Sequence, residues 1–223
     1  MTLSEILYKI LIQGNSYITI SKGLWATIYI SFWAMVFGVI LGSFICWLRI
    51  SRSIILRTIA NIYIIVLRGS PVLMLLMLLY YGVFARSSLD AYTIAIITFA
   101  MNTGAHVAEL LRASLKAVDK GQVEAALTLG FSKFQAFYLV TLPQIVRIAK
   151  PVFQSTIVNL IQWTSVVGYV SITDLTRVIN NTASRTMQPM ITITIGMLIY
   201  LALAYIVHGI FALCDLIYLK RKN

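Results

Sequence analysis

Long apolar runs separated by short charged segments constrain this chain more than any other feature. Residues 23–48 contain no charged side chain over 26 positions, which exceeds the roughly 20 residues that an α-helix needs to cross a bilayer. Of the 223 residues, 60% are hydrophobic and 11% are charged, against about 25% charged in a soluble domain. The sequence therefore predicts an all-α integral membrane protein.

Five transmembrane helices and one short surface helix account for the pattern. Within residues 1–22, apolar residues recur at helical spacing but Glu5 and Lys9 interrupt them, which favours an amphipathic helix in the membrane interface over a cleavable signal peptide. The predicted spans cover residues 23–48, 72–84, 91–111, 145–172 and 189–218. In the first span, Gly38 and Gly42 form a G-x-x-x-G pair, which lets another helix approach closely. We see no internal repeat and predict a single domain over residues 1–223.

The second apolar stretch is interrupted by Arg68-Gly69-Ser70-Pro71. Pro71 lacks a backbone donor and disfavours helix at Ser70, so we predict an approach helix on the membrane surface, a break, and then the span. A half-helix that begins at a break favours a carboxylate, which makes Gly69 and Ser70 candidate substrate contacts. A structural kink is the alternative, with Arg68 snorkelling to the interface.

The distribution of lysine and arginine predicts the orientation. Thirteen of these cations fall on one predicted side and five on the other, at Lys9, Lys22, Arg86, Arg177 and Arg185. Because the side richer in Lys and Arg is cytoplasmic, the N-terminus is expected outside and the C-terminus, with Lys220, Arg221 and Lys222, in the cytoplasm. Residues 119–143 are then cytoplasmic. The net charge of +11 therefore indicates membrane topology and not a nucleic-acid-binding surface.

Helix signals divide residues 119–143 into two short helices in a fixed bend. Asp119 with Gln122, and Ser132 with Gln135, have the spacing of capping boxes. Gly130 is a natural left-handed terminator for the first helix, and Pro143 is expected to end the second. An ordinary pair of cytoplasmic helices and a rigid knob that docks on a partner both fit this pattern.

The same residues resemble the EAA loop of importer-type ABC permeases. Glu124-Ala125-Ala126, then Gly130, Val140 and Leu142-Pro143, match every fixed position of that motif, and we call residues 119–143 the EAA loop. The resemblance implies the type I ABC importer permease fold and a cytoplasmic loop that docks on an ATP-hydrolysing subunit. It further implies two permease subunits, identical or paralogous, two ATPase subunits and an extracytoplasmic substrate-binding protein in the bacterial inner membrane. The chain has no G-x-x-x-x-G-K-[ST] stretch, so ATP is expected on the partner, with no enzyme activity or cofactor here.

Further motifs narrow the resemblance to permeases for polar amino acids, the histidine, glutamine and cystine group. Arg68-Gly69-Ser70-Pro71 resembles their R-G-[ST]-P motif, and residues 102–112 resemble N-[ST]-[AG]-A-Y-x-x-E-x-x-R, with His106 in place of tyrosine. Thr164-Ser165 resembles the end of K-D-T-S, but Gln162-Trp163 stands where Lys-Asp is usual. The departures leave the substrate open, with a lean away from a strictly cationic one.

Several polar residues inside predicted spans are candidates for the substrate path: Gly69, Ser70, Asn102, His106, Glu109, Asn159, Gln162, Trp163, Thr164 and Ser165. Glu109 can hold a substrate ammonium or form a local ion pair with Arg112. His106 can contact substrate, titrate as a gate or simply pack. The polar residues of the fourth span can line a path or pack against another helix.

Two other functional classes remain as alternatives. A stand-alone secondary amino acid transporter or channel would be expected to show an internal repeat or a buried ion site, and a non-transporting scaffold would not need the EAA loop. Cys46 and Cys214 have no metal-binding or disulfide pattern, so we expect neither a metal site nor a catalytic residue.

Overall fold

Helices joined by short turns make up the computed structural model, which describes residues 3–220. The α-helices are α1 (Leu3–Leu11), α2 (Ser16–Ile50), α3 (Ile54–Gly69), α4 (Val72–Met77), α5 (Ala91–Ala117), α6 (Lys120–Thr128), α7 (Lys133–Ala136), α8 (Leu142–Trp163), α9 (Leu175–Thr186) and α10 (Pro189–Lys220). Wider π-helical turns follow α4 and α7, at Leu78–Val83 and Phe137–Thr141, and 3₁₀ turns occupy Gln13–Asn15 and Thr164–Val170. Arg221 and Lys222, used in the orientation argument, lie outside the described residues.

Three helices among the described residues are long and apolar enough to cross a membrane: α2, α5 and residues 189–217 of α10. A fourth span arises if α3 and the segment from Val72 to Val83 count together as one bent crossing. The structure thus supports three or four candidate spans where the sequence predicted five. The difference is α8, whose Arg147 and Lys150 lower its hydropathy.

The break at Arg68-Gly69-Ser70-Pro71 is confirmed. α3 ends at Gly69, and α4 begins at Val72 after a bend of 108°. Ser70 and Pro71 have extended backbone (ψ 136° and 128°), as expected where Pro71 cannot continue a helix and Ser70 precedes a proline.

α2 and α5 cross in close contact. A Cβ at Gly38 would lie 2.9 Å from Thr103 Cγ2, and one at Gly42 would lie 2.7 Å from the Gly104 carbonyl oxygen. Only glycine permits this approach, so the predicted role of the G-x-x-x-G pair is confirmed. Around it the core is filled by Ile30, Ala34, Leu76, Phe99, Leu160 and Val167.

Pro143 does not end the second helix of the EAA loop, which corrects the sequence expectation. The backbone widens into the π-turn Phe137–Thr141, where the Leu142 N–H reaches the Phe137 carbonyl, and Pro143 then lies in the first turn of α8. Proline is tolerated there because its missing N–H has no helical partner in a first turn. The EAA loop therefore runs into α8 without a break in helical structure.

The polar segment 173–188, between the fourth and fifth predicted spans, contains α9. Asp174 is fully buried, and its carboxylate accepts from Thr176 N–H at 3.0 Å and from Arg177 N–H at 3.1 Å. Burial raises the pKa of the Asp174 carboxyl, and the two backbone hydrogen bonds oppose that shift. The Asp174 carbonyl lies 2.9 Å from the Cβ position of Gly23, so α9 packs directly on α2.

Candidate functional site

Two side-chain caps fix the helices of the EAA loop. Asp119 Oδ1 accepts from the Gly121 N–H at 2.9 Å and starts α6. Ser132 and Gln135 form a reciprocal capping box, with distances of 2.8 and 3.2 Å, and start α7. The predicted start of each helix is confirmed.

Gln122 was expected to complete a capping box with Asp119, and it has another partner. Its Oε1 accepts from Gln144 Nε2 at 2.7 Å. This bond ties α6 to the first turn of α8, so the two ends of the EAA loop are held together.

Gly130 sets the bend between α6 and α7. Its φ is +86°, which L-residues other than glycine rarely adopt. The Gly130 N–H donates to the Leu127 carbonyl at 3.1 Å, and the Phe131 N–H donates to the Ala126 carbonyl at 3.2 Å. These two bonds form a Schellman motif, so the predicted terminator is confirmed.

Large apolar side chains project from this rigid loop. Leu129 is 80% exposed and Phe134 is 76% exposed, and Tyr138 stacks on Phe134 with ring centroids 6.2 Å apart. Glu124 and Ala125 are also exposed, whereas Ala126 is buried within the loop. Ala126 packs inside the loop, and its carbonyl accepts one of the hydrogen bonds of the bend. An exposed apolar patch on a fixed polar segment marks a surface that a partner covers.

Glu109 lies within a cluster of guanidinium groups. Its carboxylate accepts from Arg112 Nε at 3.2 Å, pairs with a second nitrogen of the same side chain, and also pairs with Arg49 of α2. Of the two readings of Glu109, the local ion pair is the one present in the structure. Its carboxylate oxygens are occupied by two cations.

Asn102 fixes the helix break. Its side chain is buried and Nδ2 donates to the Leu67 carbonyl at 2.7 Å, which anchors α5 to the last turn of α3. Ser70 Oγ donates to the Val66 carbonyl at 2.7 Å, and Gly69 faces open space. The Ser70 hydroxyl thus has a local partner, as in a structural kink.

His106 and Trp163, which are distant in sequence, are brought together. Their ring centroids are 5.2 Å apart with an interplanar angle of 37°, and both side chains are half-buried. One helical turn before His106 and on the same face of α5, Asn102 bonds the Leu67 carbonyl beside the break. The break at 68–71, α5 and the end of α8 therefore meet at one place.

The other polar candidates, at the end of α8 and in the 3₁₀ turn that follows it, differ in their exposure. Asn159 and Gln162 are exposed, Ser165 is half-buried, and Thr164 is fully buried with Oγ1 donating to the Ile161 carbonyl at 2.7 Å. A hydroxyl that bonds its own preceding turn needs no other partner, so Thr164 has the geometry of a packing residue.

Two contacts escaped the sequence reasoning. Arg49 pairs with Glu109 across 60 positions, and Lys150 of α8 pairs with Asp215 of α10. Lys150 also donates to the Phe211 carbonyl at 3.3 Å. In both cases, opposite charges near the inner ends of predicted spans were the available signal, because an unpaired charge there is costly.

Comparison with known proteins agrees with the family resemblance of the sequence motifs. The family model for binding-protein-dependent transport system inner membrane components matches residues 18–218. The probable amino-acid ABC transporter permease YckA of Bacillus subtilis is 36% identical over 168 residues, 75% of this chain and 74% of that protein. The L-cystine transport system permease TcyB of the same organism is 31% identical over 186 residues, 83% of this chain and 80% of the relative. The crystal structure of an amino acid ABC transporter with histidines superposes with a TM-score of 0.82 at 29% identity, covering 96% of this chain and 99% of that one.

Proposed function

Since the chain belongs to the amino acid ABC transporter permeases, inner-membrane components of binding-protein-dependent transport systems, we propose that it carries a polar amino acid inward across the membrane, driven by ATP hydrolysis on a separate subunit. It is the multi-pass permease of an ABC importer for amino acids. The proposed cargo is a polar amino acid or a close analogue.

The exposed, doubly capped EAA loop carries the proposal. Glu124, Ala125 and Gly130 are proposed to form its contact with the ATPase, and Ala126 to hold the loop rigid behind them. Phe134 and Leu129 add apolar surface that is exposed to water unless a partner covers it. Since the loop runs through the π-turn into α8, a displacement imposed on it would reach the membrane helices directly.

We infer five crossings, of which the three that precede the EAA loop set the side of the membrane on which it lies. Counting α8 as the fourth span, we propose that the N-terminus faces outward, and that the EAA loop and the C-terminus face the cytoplasm. The positive-inside distribution supports this. The ion pair of Lys150 with Asp215 supports counting α8, because pairing lowers the cost of its charge in the bilayer.

The complete transporter is proposed to hold two permease subunits, two ATPase subunits and an extracytoplasmic binding protein. The second permease is either another copy of this chain or a paralogue. Residues 1–223 form one transmembrane domain in this scheme, and ATP is bound only by the partner ATPase.

The substrate path is proposed to pass between the helix break and the His106–Trp163 pair. Gly69 and Ser70 border it at the break, and Asn102 and Glu109 hold its α5 wall. The end of α8 and the 3₁₀ turn after it complete the path with Asn159, Gln162, Thr164 and Ser165. The half-buried, tilted ring contact of His106 with Trp163 supports this placement, since it lies where three elements meet.

A pull-down of the tagged native complex in mild detergent tests the function. Phe134→Asp places a charge in the proposed contact and should abolish recovery of an ATP-hydrolysing subunit. Met187→Asp is the matched control, because Met187 is 80% exposed, against 76% for Phe134, and lies after α9. It should leave recovery unchanged.

Each outcome separates the proposal from its rival. An ATPase recovered with the wild type and with Met187→Asp, but not with Phe134→Asp, supports docking through the EAA loop. If the wild type recovers no ATPase while accumulating an amino acid in vesicles without ATP, a secondary transporter becomes the explanation.

A further inference from the structure

α9 is a polar helix that packs on three other elements through glycines. A Cβ at Gly23 of α2 would lie 2.9 Å from the Asp174 carbonyl oxygen, and one at Gly196 of α10 would lie 3.0 Å from Ile179 Cγ1. At Gly168, in the 3₁₀ turn after α8, the Cβ position is 3.6 Å from Asp174 Oδ1. The glycines of α2 and α10 therefore allow α9 to approach closely, and α8 is joined to the same contact.

Polar contacts fix both ends of α9. Near its start, the hydroxyls of Thr176 and of Tyr200 on α10 lie 2.8 Å apart. Near its end, Arg185 donates to the Gln13 carbonyl at 2.9 Å, in the turn that precedes α2. The exposed face of α9 is thus held in one orientation before any partner arrives, which lowers the entropic cost of binding.

α9 and the EAA loop lie at opposite ends of α2 and α5. α9 contacts α2 at Gly23, whereas the other end of α2 pairs with α5 through Arg49 and Glu109, shortly before α5 ends at Ala117 and the EAA loop begins. From Gly23 to Arg49, the unbroken helix α2 rises about 39 Å, which exceeds the roughly 30 Å of a hydrocarbon core. An ATPase that docks on the EAA loop therefore does not cover α9.

The exposed face of α9 combines polar side chains with one protruding methionine: Asn180, Asn181, Ser184, Arg185 and Met187. Two amides and a guanidinium on one face are unsuited to hydrocarbon, so this face is not a lipid-contacting surface. Met187 is 80% exposed and has a φ of +54°, which residues of its type rarely adopt. A strained backbone that presents an apolar side chain outward is typical of a functional contact, and methionine is enriched at protein interfaces.

Resting on the proposed function, we propose that this face of α9 is the docking site of the extracytoplasmic substrate-binding protein. Since the chain belongs to the inner-membrane components of binding-protein-dependent transport systems, a binding protein is the partner to expect at the end opposite the ATPase. Met187 supplies the apolar contact, and Asn180, Asn181 and Ser184 supply the polar rim. The exposed Arg185 favours carboxylates on the facing surface of the binding protein.

A titration of the binding protein onto the complete transporter in nanodiscs tests the docking site. The probe is the purified substrate-binding protein that stimulates ATP hydrolysis by the wild-type complex. Met187→Ala and Met187→Gly remove the same side chain and should each weaken docking at least about tenfold. Met197→Ala is the control, because Met197 is 62% exposed but lies within the proposed fifth crossing, and it should leave the affinity unchanged.

Thermal unfolding of the same variants separates docking from damage to the fold. Alanine keeps the strained backbone of Met187, so Met187→Ala should unfold at the wild-type temperature. Glycine adopts a positive φ without a steric cost, so Met187→Gly should unfold no lower than wild type. Weaker docking in variants that keep both their unfolding temperature and their ATPase supports the contact. Wild-type affinity in both variants would overturn it.

The remaining outcomes distinguish this inference from the proposed function. If Met187→Ala loses the second permease subunit, α9 lies at the interface between permeases and the inference is overturned. A wild-type complex that retains its ATPase and imports an amino acid without any binding protein would also overturn it, while the importer function would stand. A wild-type complex that recovers no ATPase would overturn the proposed function, and this inference with it.

Discussion

Replacement of Gly130 tests whether the bend of the EAA loop is what the ATPase recognises. With φ at +86° and no atom within 4 Å of an added Cβ, a side chain at this position meets no neighbour. The cost of substitution comes only from the local backbone, about 1–2 kcal/mol for an ordinary L-residue in the left-handed region. A loss of 1–2 kcal/mol in the docking conformation corresponds to about 5- to 30-fold in affinity for the ATPase.

The order of the substitutions is the sharper expectation. Asparagine tolerates the left-handed region better than alanine, and a β-branched residue tolerates it worst. Affinity should therefore fall in the order wild type, Gly130→Asn, Gly130→Ala, Gly130→Val. Gly121→Ala is the control within the same loop, because Gly121 lies in α6 without a positive φ and an added Cβ there makes an ordinary 3.4 Å contact with Asp119.

The assay is a titration of purified ATPase subunit onto the permease in nanodiscs, with coupled uptake measured in parallel. Gly121→Ala should bind as the wild type does. If Gly130→Val binds the ATPase as tightly as wild type does, or if Gly121→Ala loses as much affinity as Gly130→Ala, the ATPase does not recognise the left-handed bend.

Three further substitutions test other parts of the fold. Gly42→Ala places a Cβ 2.7 Å from a backbone oxygen and should destabilise the protein by about 1–3 kcal/mol in thermal unfolding in detergent, whereas Gly209→Ala, where nothing lies within 4 Å, should not. Lys150→Met alone should lower the stability of the protein because it leaves Asp215 without a partner, and the double variant with Asp215→Leu should recover most of the loss. Equal destabilisation in the single and double variants would contradict the pairing. The raised pKa of Asp174 means that the folded state holds this proton more tightly. The stabilisation that comes from the protonated Asp174 carboxyl is complete below its unfolded pKa of about 3.9 and is lost as pH rises through its folded pKa. The free energy of unfolding of the wild type should therefore fall from pH 4 to pH 7 relative to that of Asp174→Asn.

Local sequence signals predicted the features that depend only on a few neighbouring residues. The break at Pro71, the caps at Asp119 and Ser132 and the left-handed Gly130 all follow from constraints within a few residues, and each is present. The π-turn before Pro143 was missed because a proline after a short helix usually signals its end, and here the backbone widens to keep the helix going.

Features that depend on tertiary contacts were less accessible. Glu109 has a partner three residues away and another 60 residues away, and spacing identified only the first. α9 was missed because its polar sequence lacks the apolar content of a buried helix; it is held by Asp174 at its start and by packing on α2. The His106–Trp163 contact likewise needed the fold, since no pattern links those two positions.

The pairing of Lys150 with Asp215 bears on how the chain is assembled during synthesis. α8 leaves the ribosome 65 residues before its counter-charge does, so for that interval a lysine in a weakly hydrophobic helix has no partner. We expect α8 to stay in the translocon or at the membrane surface until α10 arrives, and the two to enter the lipid together. In a chain truncated after Gln188, a cysteine placed at Ser155 should remain open to a water-soluble thiol reagent, and in the full-length chain it should be protected.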